Sequence, residues 1–483
     1  MNSRFALLLT VGIILGTAGC GSSQKSAVTS VVVTCSPPTL QSNQLVQCGA
    51  TVNGTGNFTP MVNWTATAGS INQSGLFTAP VVTSPLVVSI TATSTQTPSE
   101  MATAMVTINP VNREAITVDT GPQPQSFTTV NQAFVSVVVC PPNTTNCETI
   151  DHILVDTGSS GLRLLSSYLA VSLPQQTDSN GNPLDECALF PDGYVWGPVA
   201  LADVSIAGEK ASSVPVQVMI PDYVSPPVPN SCSSQTMGPN EGNSVAALGA
   251  NGILGVGLFP QDCGANCAGQ SPPDVYYSCP AAGCSQNGIS VPLAQQVPNP
   301  VTLFSLDNNG VLVYLPSVPA GGVPPVNGSI IFGIGTQSNN VLQSATVYTV
   351  PASGASAGAI TTTFNGVAYP GFLDSGSTGI FFLDSTTTNL AACTVQGATW
   401  YCPTSPAALT ATNQGANGNQ GVVNFSIENA NTLLNSGNTA FSTLGGPLPG
   451  SFRWGLAFFY GRSVFTAIEN MNTPAGPGPY VAY

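Results

Sequence analysis

Ile153-Leu154-Val155-Asp156-Thr157-Gly158-Ser159-Ser160 and Phe372-Leu373-Asp374-Ser375-Gly376-Ser377-Thr378 are two spellings of one phrase, 218 positions apart. In each, an apolar run ends in Asp, followed by Thr or Ser, then Gly, then a hydroxyl residue. An apolar run then resumes, as Leu162-Arg163-Leu164-Leu165 and Ile380-Phe381-Phe382-Leu383. Short apolar runs bounded by turn residues read as strands. The Gly permits a tight turn and the close approach of a second backbone. The phrase therefore predicts two strand–turn–strand half-sites, each presenting one carboxylate. Two carboxylates held together cannot both ionise easily, so one keeps a proton while the other is charged. Such a pair can act as acid and base on water. The alternative is two unrelated strand–turn–strand units with surface aspartates.

A third Asp-Thr-Gly, at Asp119-Thr120-Gly121, serves as a control. It continues into Pro122-Gln123-Pro124, with no hydroxyl residue after the Gly and no apolar strand beyond. It is predicted to be a turn at a domain entry and no part of the dyad. The discriminating signal is the extended phrase rather than the tripeptide.

Little else in the chain offers chemistry. Among 483 residues there are one His, two Lys and five Arg. His152 is the sole candidate for a Ser-His-Asp or Cys-His mechanism, and it is read as a strand residue without a catalytic role. A histidine-based zinc site is not available, and no glycine-rich loop with a following Lys offers a phosphate cradle. The net charge of −14 makes nucleic acid and anionic lipid headgroups poor partners. Charged residues are 6% of the chain and hydrophobic ones 42%, with 50 Gly and 41 Pro. That mixture, with its Val, Ile, Thr and Phe runs, points to an all-β protein with uncharged turns rather than to disorder. The length allows two or three domains.

Met1 to Gly19 carries one basic residue, Arg4, and the apolar run Phe5 to Leu15, followed by Thr17-Ala18-Gly19-Cys20. This resembles a bacterial lipoprotein signal peptide cleaved before Cys20, whose thiol then takes the lipid. A plain secretory signal is the alternative. The apolar run is too short to span a bilayer. Gly21 after the cysteine favours, by resemblance to Gram-negative lipoproteins, the outer membrane, with the mature chain held to it through the Cys20 lipid only. Setting Cys20 aside leaves twelve of thirteen cysteines. In an exported chain that reads as up to six disulfides. Sequence proximity suggests Cys35 with Cys48, Cys140 with Cys147 and Cys393 with Cys402, and Cys187 with Cys232 is a further candidate pair. Cys263, Cys267, Cys279 and Cys284 would form two bridges of open connectivity, or a Cys₄ zinc site.

Residues 21–26 read as a polar tether. From Ala27 to Pro110 apolar and polar residues alternate with period 2, as in half-buried strands. The clearest are Val31–Val33, Trp64–Thr67, Val87–Ala92 and Ala104–Ile108, and turn clusters such as Asn53-Gly54-Thr55-Gly56-Asn57 separate them. The stretch from Trp64 to Pro80 resembles bacterial Ig-like domains of surface proteins. Cys35 and Cys48 both precede Trp64, so they are not the inter-sheet pair of antibody domains. A spacer is the plain role for this segment, with adhesion to carbohydrate or protein as the alternative. From Val111 to Tyr483 the pattern stays β-rich. Short helices are expected at Pro292–Val297 and Ser385–Ala392, and a long stapled loop at Asp262–Gly288.

Over residues 113–483 the chain resembles the pepsin-like aspartic peptidases, and beyond the two Asp phrases. Asn251-Gly252-Ile253-Leu254-Gly255-Val256-Gly257 looks like the family's string that threads behind the first aspartate. Thr302–Leu306 followed by Gly328–Gly333 looks like the strands entering the second lobe. Trp454–Phe459 with Val464–Glu469 looks like the closing segment. The chain also resembles a group of uncharacterised proteobacterial lipoproteins carrying the same strings.

The resemblance implies an all-β, bilobal pepsin-like fold after the Ig-like β-sandwich, with an N-lobe at 111–305 and a C-lobe at 306–483. Asp156 and Asp374 would share a proton and activate water against a peptide bond, with no metal or organic cofactor. Thr157, Ser159, Ser375 and Ser377 would support the carboxylates, and Gly158 and Gly376 would let the loops touch. Three departures stand out. Arg163 occupies the place of a Trp that orients the family's flap tyrosine, and Leu456 stands where pepsins usually have Asp. The flap region Phe190–Gly197 lacks the family's Tyr-Gly-x-Gly text; its Tyr194 is either the flap residue or a packed surface aromatic. Arg163 is expected either at a rim facing solvent or substrate, or near enough to the dyad to disturb its shared proton. The first functional reading is a lipid-anchored aspartic endopeptidase acting on polypeptides. The others are a catalytically silent pepsin-fold binding or inhibitor protein, and an adhesin or scaffold.

Overall fold

The computed structural model describes residues 25–483 except 83, 124–127, 192, 222–226 and 235–241. The signal segment with Cys20, and residues 21–24 of the tether, lie outside the described residues. The chain divides into two compact units, the first taking the chain to Pro80 and Leu86–Ile108, the second Asn109–Tyr483 together with residues 81–85.

The first unit holds two four-stranded sheets. One contains, in spatial order, Ala27–Cys35, Leu45–Thr55, Leu76–Thr78 and Ser70–Ile71; the other contains Thr39–Gln41, Met101–Asn109, Leu86–Ser94 and Val62–Ala66. The period-2 text places Val88, Ile90 and Ala92 in the interior, each fully buried, as half-buried strands require. Val28, Val31 and Ala92 pack with Val52, Val62 and Trp64, so side chains of both sheets meet in one core. Cys35 and Cys48 form a disulfide between register partners of adjacent strands in one sheet. The turn expected over residues 53–57 begins later, because Asn53 and Gly54 still pair with Ser30 and Val28.

The second unit is built on a fourteen-stranded sheet and a seven-stranded sheet. The division expected at 305/306 is not a clean cut. Strand Arg113–Val118 pairs with Phe134 on one side and with Val326–Phe332 on the other, so one sheet runs through both lobes. One hydrophobic core likewise takes Val155, Leu254 and Phe304 together with Val313, Phe382 and Trp454.

Two local arrangements place the aspartates, and they are copies of each other. Strand Glu148–Asp156 runs parallel to Gly252–Val256, with Asp156 opposite Gly255, while Ser160–Leu165 runs antiparallel to the same strand. In the second lobe Val367–Leu373 runs parallel to Leu448–Trp454, with Leu373 opposite Trp454, and Ile380–Leu383 lies antiparallel to it. In both, a strand from far along the chain is inserted between the strand that ends at the Asp and the strand that leaves it.

The two expected helices are shorter than predicted. Leu293–Gln295 is a single 3-10 turn between Pro292 and the extended Gln296. Ser385–Thr388 is one α turn, capped by Asp384 and ended by Asn389 in the left-handed region, after which Ala392–Val395 is a strand. All twelve of these cysteines form disulfides: the four pairs expected from the sequence, plus Cys263–Cys267 and Cys279–Cys284. The four-cysteine zinc alternative is therefore overturned, since every one of those sulfurs is bonded to another.

Candidate active site

Asp156 and Asp374 are both buried, and each is held by its own turn. The Gly158 N–H donates to Asp156 Oδ1 at 2.7 Å, and the Ser159 hydroxyl donates to Asp156 Oδ2 at 2.5 Å. The Gly376 N–H donates to Asp374 Oδ1 at 3.0 Å, the Ser377 N–H to the same oxygen at 3.2 Å, and the Ser377 hydroxyl to Oδ2 at 2.7 Å. The Gly N–H and the Ser hydroxyl of each phrase thus make the same bonds, and Asp374 accepts one N–H more.

The glycines show how close the carboxylates lie. A β-carbon on Gly158 would stand 2.7 Å from Asp374 Oδ1 and 3.1 Å from Asp156 Oδ1; one on Gly376 would stand 2.6 Å from Asp156 Oδ1. Each turn is pressed against the other lobe's carboxylate, at contacts that no side chain would tolerate. Thr157 and Ser375 lie directly behind and bond across the seam.

Burial is the main cause that pushes the Asp156 carboxyl up to about 7, and the adjacent charge of Asp374 adds to it. The Ser159 hydroxyl and the Gly158 N–H pull the other way. A proton held on one member of a close pair is what two like charges in a desolvated site demand.

The pair opens onto a cleft of about 410 Å³ lined by Thr157, Gly158, Ser159, Leu189, Phe190, Leu258, Phe259, Phe372 and Arg453, among others. Hairpin strands Leu184–Phe190 and Gly193–Ile206 supply Leu189 and Phe190 to this wall. Tyr194 is not in the wall. It is buried with Trp196, Tyr277 and the sulfurs of Cys187, Cys232 and Cys279, because the Cys187–Cys232 bridge and the Trp196–Tyr277 ring contact draw that part of the hairpin inward.

Arg163 borders the cleft, but it faces no open solvent and is no partner of the dyad. It is 2% exposed and lies 2.5 Å from Glu186 Oε1 and 3.4 Å from Asp262 Oδ2, while its Nη1 donates to Ser160 O at 2.7 Å. The Tyr276 hydroxyl donates to Asp262 at 2.7 Å. Burial works against the guanidinium charge, but Glu186 and Asp262 outweigh it and raise its pKa further. Leu456 is buried, and its N–H donates to Ser377 O at 2.7 Å, so this position contributes backbone to the second turn. His152 contacts Asp119 at 3.4 Å and Asp151 at 3.3 Å, away from the dyad. The Asp119 carboxylate accepts the Gly121 N–H at 2.9 Å, which makes the third Asp-Thr-Gly a turn.

Two features were missed in the sequence. Arg453 places Nε 3.5 Å from Asp374 Oδ2; its signal was one of five arginines sitting directly before the closing Trp454. A second buried acid pair, Glu209 and Asp307, lies outside the cleft. Asp307 accepts from the Thr336 hydroxyl and from Gln337. Burial first, then Asp307, pushes Glu209 up to about 9. The donors converge on Asp307, so Glu209 is the member that keeps the proton. Nothing in the local text marked these two residues, 98 positions apart, as neighbours.

A family described as protein of unknown function (DUF3443) matches residues 108–483. Among solved structures, an aspartic proteinase from Irpex lacteus is similar at 16% identity, covering 77% of this chain and 96% of that one with a TM-score of 0.45. No curated protein matches the chain.

Proposed function

The chain belongs to the DUF3443 family of proteins of unknown function, and on that premise we propose that it is a pepsin-like aspartic endopeptidase. The observation that carries the reading is the mirrored carboxylate pair, each member fixed by its own turn and pressed against the other turn's glycine at the floor of an open cleft. In this reading a water lies between Asp156 and Asp374. The ionised carboxylate takes a proton from the water as its oxygen bonds to the peptide carbonyl carbon. The protonated carboxyl hydrogen-bonds the carbonyl oxygen, and the pair later returns a proton to the amide nitrogen as the C–N bond breaks. Ser159, Ser377, Gly158 and Gly376 act here by holding the four oxygens in place. The substrate would be a polypeptide laid along the cleft, against Phe190, Phe259 and Phe372.

The cellular setting belongs to the same proposal. Cys20 would carry a lipid and tether the chain to the outer membrane, and residues 27–110 would form an Ig-like spacer. Among the described residues no helix is long and apolar enough to cross a membrane. A second reading, a pepsin-fold binding protein without catalysis, draws on the hairpin, whose Tyr194 is packed away from the cleft.

The test is peptide hydrolysis by the full chain from acidic to neutral pH, with and without a statine-type inhibitor, beside Asp156→Asn and Asp374→Asn. Hydrolysis that is blocked by the inhibitor and lost in both variants is expected. Activity surviving either substitution rules the dyad out, and a folded chain silent on all substrates favours the binding reading.

A further inference from the structure

The two half-sites share a Gly N–H bond and a Ser hydroxyl bond, Asp374 accepts the Ser377 N–H besides, and they differ in charge at one register position. Ile253 pairs with Leu154, two residues before Asp156; Arg453 pairs with Phe372, two residues before Asp374. Ile253 is buried. Arg453 keeps 24% of its side chain exposed and borders the cleft. Its Nε, 3.5 Å from Asp374 Oδ2, is buried and makes no hydrogen bond. A hydrocarbon thus stands at the register position beside one carboxylate and a permanent cation at the equivalent position beside the other. An opposite charge at that range favours the ionised form of the group it faces.

The other charged groups around the pair do not supply this asymmetry. On strand Ser160–Leu165 the Arg163 guanidinium is tied to Glu186 and Asp262, with the Tyr276 hydroxyl on Asp262. His152, on the strand that ends at Asp156, is engaged with Asp119 and Asp151. From the turns, Ser159 and Ser377 bring one neutral hydroxyl to each carboxylate, and the Ser377 N–H adds one donor on Asp374 that carries no charge.

We propose that Arg453 is a positioning residue that holds the negative charge of the dyad on Asp374 and leaves its proton on Asp156. It follows that Asp374 is the base toward water and Asp156 the acid toward the carbonyl; these roles rest on the hydrolytic reading above. The raised pKa of Asp156 agrees with a proton resident there. The guanidinium also opposes entry of a second proton into the pair, which would silence the base. The singly protonated state is thereby extended toward acid.

The test uses the full chain with Arg453→Gln and Arg453→Lys. One readout is the acidic limb of kcat/KM against pH. The other is carboxyl-carbon NMR of labelled aspartate, which follows entry of the second proton into the pair whether or not the protein is active. Arg453→Gln is expected to move both up by about one pH unit or more. Arg453→Lys, which keeps the charge, is expected to return both most of the way. If the wild type hydrolyses nothing, the endopeptidase reading fails, while the NMR step still decides the charge assignment. An NMR step unmoved in Arg453→Gln, or moved equally in Arg453→Lys, overturns the proposal.

Discussion

Thr157 and Ser375 each donate a backbone N–H to the other's side-chain oxygen, at 3.1 and 3.0 Å. The hydroxyls then donate onward across the seam, Thr157 to Leu373 O at 3.2 Å and Ser375 to Val155 O at 2.7 Å. Both residues are buried. Four bonds thus weld the two turns, and the carboxylates one residue upstream inherit their spacing from that weld.

Removing either hydroxyl strands a buried N–H. Thr157→Val and Ser375→Ala are each expected to cost about 1–3 kcal/mol of stability by denaturant titration. The double variant is expected to lose less than the sum, because the bonds belong to one ring. Strict additivity would show that the two turns are held apart from each other.

Gly158→Ala puts a methyl 2.7 Å from Asp374 Oδ1. The carboxylates must spread, and a displacement on the order of 1 Å at a reacting centre costs about 10²-fold in rate. Hydrolysis by Gly158→Ala, and by Gly376→Ala for the same reason, is expected to fall by that order with near-native circular dichroism. Undiminished turnover in either variant would contradict the contact.

The Glu209–Asp307 pair predicts how stability depends on pH. Glu209 holds its proton up to about 9, whereas a free glutamate releases it near about 4.3. The fold therefore binds this proton more tightly than the unfolded chain does. Its contribution is complete below about pH 4 and erodes as pH rises toward about 9. Glu209→Gln is expected to flatten the fall in urea midpoint between mildly acidic and mildly alkaline solution.

His152 and Asp119 predict a smaller effect with two limits. The Asp119 hydrogen bond is the main cause raising the His152 pKa. Burial alone would raise Asp119, but its bonds to His152 and Gly121 win and lower it. The histidine contribution is present below its unfolded value and lost as pH rises through the folded one. The aspartate contribution is present above its unfolded value and lost as pH falls through the folded one. The pair therefore stabilises most between the two, by about 0.5–1 kcal/mol given its partial exposure. His152→Gln is expected to remove that maximum from a pH series of thermal midpoints.

What could be read from the chain is what local text encodes. The Asp phrases, the strands leaving them and the closely spaced cysteine pairs all need only a few consecutive residues to be recognised. The direction of Tyr194 depends on a disulfide to Cys232 and a ring contact with Tyr277. The burial of Arg163 depends on Glu186 and Asp262, 23 and 99 residues away. Arg453 meets Asp374 only through the register of Leu448–Trp454 against Val367–Leu373. Partners set by distant register leave no periodicity to read, although Glu186 and Asp262 each stood beside a cysteine.

The inserted strands also impose an order on maturation. Asp156 has its parallel neighbour only when Gly252–Val256 is in place, and Asp374 only when Leu448–Trp454 is. A chain elongated no further than residue 440 carries both aspartates and yet lacks the strand that seats the second. Pairings of such wide sequence separation form late. In the hydrolytic reading, the pair is thus incomplete until Leu448–Trp454 has been made and has taken its place beside Val367–Leu373.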